Sequence, residues 1–100
     1  MPADPHQIVL VEQSGETSIH ISAEIRENGD LQLSGQDVGK GPQEIFDDPD
    51  YEYWLTVPAA QKDLLLLALL ESLYKGDPGV ISKMKEMLGA KKIPCEFFCQ

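Results

Sequence analysis

The segment from Thr17 to Arg26 alternates between apolar and polar side chains from Ile19 onward. A spacing of two is the period of a β-strand, so this segment predicts a strand with one buried and one solvated face. Its apolar positions are Ile19, Ile21, Ala23 and Ile25, and its polar positions are His20, Ser22, Glu24 and Arg26. Because a half-buried strand needs paired neighbours, the chain is expected to build a sheet around this segment.

The residues before this strand predict a first hairpin. Ser14–Gly15 is a turn signal between two apolar segments. A tight turn at this point sets Leu10 opposite Ile19 and Ile8 opposite Ile21. Apolar side chains then face apolar side chains across the pair, which is consistent with one buried face.

The residues after this strand predict a second hairpin at Glu27–Gly29. A two-residue Asn–Gly loop is the commonest solution, but it sets Ile25 opposite a glutamine and mixes the two faces. A three-residue loop pairs Ile25 with Leu31 and Ala23 with Leu33, and its glycine takes the left-handed position that this loop needs. We therefore predict the three-residue register.

The rest of the chain predicts a loop, two helices and two further strands. Residues 34–50 are rich in glycine, proline and acidic residues, which is typical of a long loop, with one helical turn near Glu44–Phe46. The leucine-rich residues 59–75 predict a helix that is deeply buried or forms an oligomer interface. The other predicted elements are a fourth strand at Tyr51–Val57, a second helix from Asp77 to Gly89 and a last strand at Ile93–Cys99.

These elements predict an α+β fold. The expected order is β-β-β-β-α-α-β, an antiparallel sheet of about five strands with two helices on one face. Residues 8–100 are expected to form one domain, and residues 1–7 a flexible N-terminal tail. A chain of 100 residues has an ordinary length for a single domain.

The chain is acidic, with 17 Asp and Glu residues against 8 Lys and Arg residues and a formal net charge of −9. A field of this sign repels phosphate, so we expect neither nucleic-acid binding nor association with anionic membranes. It attracts a basic protein and accelerates the encounter with it. A simpler interpretation is that the charge keeps a small protein soluble.

The N-terminal residues lack the pattern of a secretory signal. No basic stretch followed by an apolar stretch precedes Ile8. The longest apolar run, Leu64–Leu70, is shorter than the ~20 residues that span a bilayer. We therefore expect a cytoplasmic protein, in which Cys95 and Cys99 are reduced thiols.

No group of residues has the pattern of a catalytic site, and we expect no cofactor. His20, Ser22 and Glu24 alternate along one strand, with about 7 Å between neighbours, which is too far for a Ser–His–carboxylate triad. Cys95, Cys99 and His20 are possible zinc ligands, but they lack the regular spacing of a zinc-binding motif. A solvated strand face is the simpler interpretation of the three polar residues.

The densest acidic run, Asp47–Glu52, leads into the fourth strand. It lacks the alternating acidic positions and the central glycine of a Ca²⁺-binding loop. A solvated turn is its simplest interpretation, and contact with a basic partner is its functional one. The candidate partner-binding residues are Asp47, Asp48, Asp50, Glu52 and Trp54.

Trp54 falls on the opposite face of its strand from Tyr51. The simpler expectation is that Ile45 and Phe46 of the long loop cover this face. If they do not, Trp54 and Phe98 give an exposed apolar patch that suits a partner.

Three segments of the chain, Leu31–Gly39, Asp50–Trp54 and Ile93–Phe98, have the patterns L-x-L-S-G-Q-D-x-G, D-Y-E-Y-W and I-P-x-E-F-F. Together they resemble a group of small uncharacterised bacterial single-domain proteins. The resemblance covers residues 19–99 and implies a bacterial, stand-alone domain. It implies no activity and therefore assigns no catalytic residue.

These observations leave three hypotheses for the function. The first is a non-enzymatic protein-binding domain, such as an immunity or antitoxin-like protein that neutralises a basic partner. The second is a structural homodimer formed through the leucine-rich helix or an edge strand. The third is a small metal-dependent enzyme that uses Asp37 and the acidic run.

Overall fold

The computed structural model describes residues 6–100, and the chain divides into two compact units. The first unit ends at Leu64, and the second runs from Leu65 to Gln100. The first contains strands β1 (Gln7–Gln13), β2 (Thr17–Ile25), β3 (Leu31–Gly39) and β4 (Asp50–Val57), with helix α1 (Lys40–Phe46) between β3 and β4. A 3-10 turn, Ala59–Gln61, leads into α2 (Lys62–Tyr74), which crosses the boundary, and α3 (Val80–Ala90) follows in the second unit.

The predicted α+β class and antiparallel sheet are confirmed. The sheet has four strands in the order β1-β2-β3-β4, where about five were predicted, and the described residues form three α-helices instead of two. Strand β1 begins at Gln7, one residue before the predicted domain boundary, while residues 1–5 of the predicted tail lie outside the described residues. The single domain predicted for residues 8–100 stays a prediction.

The second hairpin has the predicted register. Ile25 lies opposite Leu31, and Ala23 lies opposite Leu33. Gly29 has a φ of 90°, which is the left-handed conformation that the three-residue loop needs and that glycine adopts at no steric cost. The local turn chemistry therefore decided this pairing.

The first hairpin differs from the predicted register. Ile8 lies opposite Ala23 and Val11 opposite Ile21, with a bulge between Val9 and Val11. A register continued from Val11 without a bulge would set Ile8 opposite a glutamate. The bulge inserts one residue and so returns Ile8 to the face that Ala23 occupies.

The long loop predicted for residues 34–50 is wrong. Strand β3 continues to Gly39 because it is paired on both sides, with β2 and with β4. Helix α1 then starts at Lys40, whose N–H donates to the Glu16 carbonyl over 2.9 Å. The Thr17 hydroxyl accepts a 2.8 Å hydrogen bond from the Gly41 N–H, which satisfies a further N–H in the first turn of the helix.

One face of the sheet carries the apolar side chains and holds the core of the first unit. Its centre is Ala23, which is 8% exposed. The ring of Tyr53 on β4 lies over Gly35 on β3, where a β-carbon would collide with it. Farther along this face, Tyr53 contacts Tyr51 with 5.3 Å between ring centroids, and Tyr51 stacks on Phe46 of α1 at 4.4 Å.

The last strand predicted at Ile93–Cys99 is absent, since the described residues after Lys92 form neither helix nor strand. Helix α3 runs past the predicted stop at Gly89, and the chain turns at Lys92, which has a φ of 57°. The Ile93 N–H donates to the Leu88 carbonyl over 2.9 Å, and the Lys85 ammonium lies 3.7 Å from the centroid of the Phe97 ring. These contacts place the segment against α3 instead of in a sheet.

Candidate functional site

The candidate site begins at the end of α1, where the chain turns into β4. Asp47 has a left-handed backbone conformation (φ 56°, ψ 30°) and closes the helix by donating its N–H to the Gln43 carbonyl. Aspartate tolerates this conformation better than most residues. Its carboxylate also accepts a 3.2 Å hydrogen bond from the Gln43 side-chain amide, so Asp47 is held by two contacts with one helical turn.

The next two carboxylates are held by the turn and by the neighbouring strand. The Asp48 carboxylate accepts a 2.9 Å hydrogen bond from the Asp50 N–H. The Asp50 carboxylate accepts a 3.0 Å bond from the side-chain amide of Gln36 on β3. Each carboxylate uses one oxygen in these bonds, and all three residues are exposed, so each retains acceptor sites that face solvent.

Glu52 and Trp54 continue the site along the polar face of β4. They lie opposite Gln36 and Ser34 of β3, and both are exposed. Trp54 is 61% exposed, so the expected cover by the predicted loop is wrong. Phe46 turns instead to Tyr51 on the other face, and Ile45 is 74% exposed.

A shallow groove of about 180 Å³ lies beside Trp54 on this polar face. It is lined by His20, Ser22, Ser34, Gly35, Gln36, Glu52 and Trp54. From the sequence, we predict His20 and Ser22 on this face but a loop at Ser34 and Gln36. Gln32, Ser34 and Gln36 alternate with Leu31, Leu33 and Gly35, and this alternation is the signal that indicates a strand through Gln36.

Asp37 lies apart from the acidic run that the enzyme hypothesis grouped it with. It pairs with Tyr51 in the ladder and shares the apolar face with Tyr53, while Asp50 and Glu52 share the polar face. The Asp37 carboxylate accepts a 2.8 Å hydrogen bond from the Tyr53 hydroxyl. This bond raises the pKa of Tyr53 above its ordinary value, with smaller contributions from burial and from nearby charge.

The described residues contain no cluster of three or more His, Cys, Asp or Glu side chains that could hold a metal ion. Cys95 and Cys99 are free thiols and exposed. Within residues 6–100, no helix has the length and apolar character needed to cross a membrane.

The acidity of the chain belongs to the first unit. Residues 1–64 carry 13 Asp and Glu residues against 3 Lys and Arg residues, while residues 65–100 carry 4 against 5. Asp47, Asp48, Asp50 and Glu52, together called the acidic segment below, are the densest part of this charge. Comparison of the chain with protein-family models, with curated proteins and with solved structures found no match in any of the three.

Proposed function

We propose that this protein is a non-enzymatic domain that binds a basic protein through the acidic segment and Trp54. The observation that carries the proposal is the run of four exposed carboxylates beside an exposed indole at the start of β4. The carboxylates offer acceptors to lysine and arginine side chains. The indole offers an apolar surface that an arginine stacks on favourably.

The charge of the first unit supports this choice of partner. An excess of 13 acidic over 3 basic residues in residues 1–64 steers a basic protein toward this unit and repels an acidic one. Such steering weakens with salt because the Debye length is only about 8 Å at physiological ionic strength. Binding is therefore expected to weaken as ionic strength rises.

In its most specific form, the proposal is an immunity or antitoxin-like role in a bacterial cytoplasm. A small acidic domain that covers a basic surface neutralises it without any chemistry of its own. The bacterial setting rests on the resemblance carried by Leu31–Gly39, Asp50–Trp54 and Ile93–Phe98.

The test begins with a tagged protein incubated at low salt in an extract of the organism that encodes it, and eluted with a salt gradient. The basic protein recovered is then purified and titrated against two variants. In the first, the acidic segment is neutralised by Asp47→Asn, Asp48→Asn, Asp50→Asn and Glu52→Gln. We expect at least a tenfold loss of affinity, about 1.4 kcal/mol.

The control variant removes the same number of charges from exposed glutamates elsewhere, by Glu12→Gln, Glu27→Gln, Glu71→Gln and Glu86→Gln. If binding depends on the acidic segment, this variant retains most of the affinity and differs mainly in its association rate. Equal losses in the two variants would show that only net charge matters. No loss in the first variant would exclude the acidic segment as the binding site.

A structural homodimer is a second candidate, favoured by the exposed leucines of α2. Leu66, Leu67 and Leu73 are 57%, 64% and 70% exposed, which is unusual for three leucines of one helix. Sedimentation over a wide concentration range tests this candidate. A dimer that dissociates on Leu67→Glu supports it, and a monomer at every concentration excludes it.

A further inference from the structure

Strand β4 is an edge strand whose outer backbone groups pair with no other strand in the described chain. The Gly39 N–H donates to the Pro49 carbonyl over 2.7 Å, so Gly39 and Pro49 are a directly hydrogen-bonded pair at the end of the β3–β4 ladder. In an antiparallel ladder, directly bonded pairs recur at every second residue. The bonded pairs are therefore Asp37–Tyr51, Gly35–Tyr53, Leu33–Leu55 and Leu31–Val57.

The alternate residues of β4 consequently turn their backbone outward. Glu52, Trp54 and Thr56 present their N–H and C=O groups to the open side, and all three are exposed. The outward N–H of Asp50 is already used, since it donates to the Asp48 carboxylate. Three consecutive outward residues are enough to hold a short added strand by backbone hydrogen bonds.

The two edges of the sheet differ in how they resist such an addition. The β1 edge carries the bulge between Val9 and Val11, and a bulge disrupts pairing at an edge. The β4 ladder is regular from Asp50 to Val57. The acidic side chains at its start repel acidic partners by charge.

We infer that the outer edge of β4 receives an antiparallel or parallel strand from a basic protein, with lysine or arginine alternating with apolar residues. On one face the added strand meets Asp50, Glu52 and Trp54, which suit basic side chains. On the other face it meets Tyr51, Tyr53 and Leu55, which suit apolar ones. This inference rests on the proposed function and specifies how the partner is bound.

Charge favours a basic strand over the β4 strand of a second copy. A second copy would bring another first unit with the same excess of acidic residues to the edge, and like charges oppose close approach. A basic strand gains attraction at Asp50 and Glu52 and cation–π contact at Trp54. The second copy is therefore an outcome that the experiment has to exclude.

The test uses the peptide Val-Lys-Val-Arg-Val-Lys-Val and the intact protein at low salt. Trp54 is the only tryptophan of the chain, so its fluorescence reports binding at this strand. Two further peptides carry a single backbone N-methyl group, one on the central arginine and one on a neighbouring valine. The amides of adjacent residues in an added strand point to opposite sides, so only one of the two methyl groups faces β4.

We expect one methylated peptide to bind at least tenfold more weakly, about 1.4 kcal/mol, while the other binds like the parent. Loss on arginine methylation indicates an antiparallel strand, and loss on valine methylation indicates a parallel one. Equal binding of both methylated peptides, or equal loss, would overturn strand addition. A parent peptide that fails to bind while the protein self-associates through β4 would overturn it in favour of the second copy.

A substitution in the protein gives an independent check. Thr56→Pro removes an outward N–H and leaves the β3–β4 bonds in place, because proline is tolerated on the open side of an edge strand. It should reduce peptide affinity about tenfold, whereas Thr56→Ala, which keeps the N–H, should not. An unchanged urea midpoint shows that the proline variant is folded, and unchanged peptide affinity in it would overturn the inference.

The two proposals fail in different ways. Neutralising Asp50 and Glu52 could abolish binding while Thr56→Pro leaves the peptide affinity unchanged and both methylated peptides bind like the parent. That result would mean that a basic partner binds through its side chains and that strand addition is wrong. If the natural partner binds the neutralised protein normally, the proposed function itself fails.

Discussion

The Tyr53 hydroxyl donates a 2.8 Å hydrogen bond to the Asp37 carboxylate across the β3–β4 pair. In the backbone ladder, Tyr53 lies opposite Gly35, and Asp37 lies opposite Tyr51. The side chain of Tyr53 therefore reaches diagonally along β3, within the range of cross-strand neighbours. It does so because Gly35 has no side chain to obstruct the ring.

Removing this hydroxyl should weaken the first unit. Tyr53→Phe keeps the ring over Gly35 but leaves Asp37 without its donor, so we expect a loss of about 1 kcal/mol in unfolding free energy. Urea unfolding at neutral pH, followed by Trp54 fluorescence, measures the change. Tyr51→Phe is the matched control, and an equal loss in both variants would show that the bond to Asp37 contributes nothing particular.

The same bond predicts how stability depends on alkaline pH. The Asp37 carboxylate accepts the hydroxyl hydrogen and raises the pKa of Tyr53 above its ordinary value of 10.0. A raised folded-state pKa contributes stability that is fully present below pH 10 and is lost as pH rises through the folded value. The unfolding free energy of the wild type should therefore fall more steeply above pH 10 than that of Tyr53→Phe, and parallel curves would contradict this.

The contact between Gly35 and Tyr53 predicts a strongly coupled pair. Gly35→Ala places a β-carbon into the Tyr53 ring, which should cost about 1–3 kcal/mol through overpacking. In a Tyr53→Ala background the ring is gone, so the same substitution should cost little. A double-mutant cycle by urea unfolding should show at least about 1 kcal/mol of coupling, and additive effects would mean that the ring moves aside freely.

Gly89→Ala is the contrasting glycine substitution. Gly89 lies in α3, and an added β-carbon would meet no atom within 4 Å. Alanine at such a position should strengthen the helix by about 0.5–1 kcal/mol. An increase in helical ellipticity would show that the cost at Gly35 arises from its neighbour and not from the loss of a glycine.

The Thr17 hydroxyl is predicted to hold the start of α1 against β2. Thr17→Val keeps the shape of the side chain but removes the acceptor of the Gly41 N–H, so we expect the first unit to lose about 1 kcal/mol. Thr17→Ser keeps the hydroxyl and should lose less. Urea unfolding of the wild type and the two variants tests this prediction. An equal loss of unfolding free energy in Thr17→Ser and Thr17→Val would contradict it.

Acidification is predicted to weaken the N-terminal end of α3. The Lys83 ammonium, 2.6 Å from the Asp77 carboxylate, lowers the pKa of Asp77, and the Gly79 N–H acts in the same direction. A lowered folded-state pKa contributes stability that is present above pH 3.8, the ordinary pKa of aspartate, and that is lost as pH falls through the folded-state pKa. Far-ultraviolet circular dichroism should show a helical loss below this pH that is smaller in Asp77→Asn, which cannot ionise.

Strand β2 and the hairpin that follows it could be predicted from the sequence. The alternation from Thr17 to Arg26 identifies the strand, and the Glu27–Gly29 loop sets Ile25 opposite Leu31. Both signals are local, since side-chain period and turn conformation depend on residues that are neighbours in the chain. The candidate residues along Asp47–Trp54 were also visible as an acidic run ahead of an aromatic strand.

The pairing of strands in the tertiary structure decided the features that could not be predicted from the sequence. Residues 34–39 look like a loop, yet they become strand because β2 and β4 supply hydrogen bonds on both sides. Ile93–Cys99 was predicted to be a strand but pairs with none in the described chain, because Lys92 turns it back along α3. Period and propensity thus determined which residues suit a strand, while the partners available for backbone hydrogen bonds decided which of them form one.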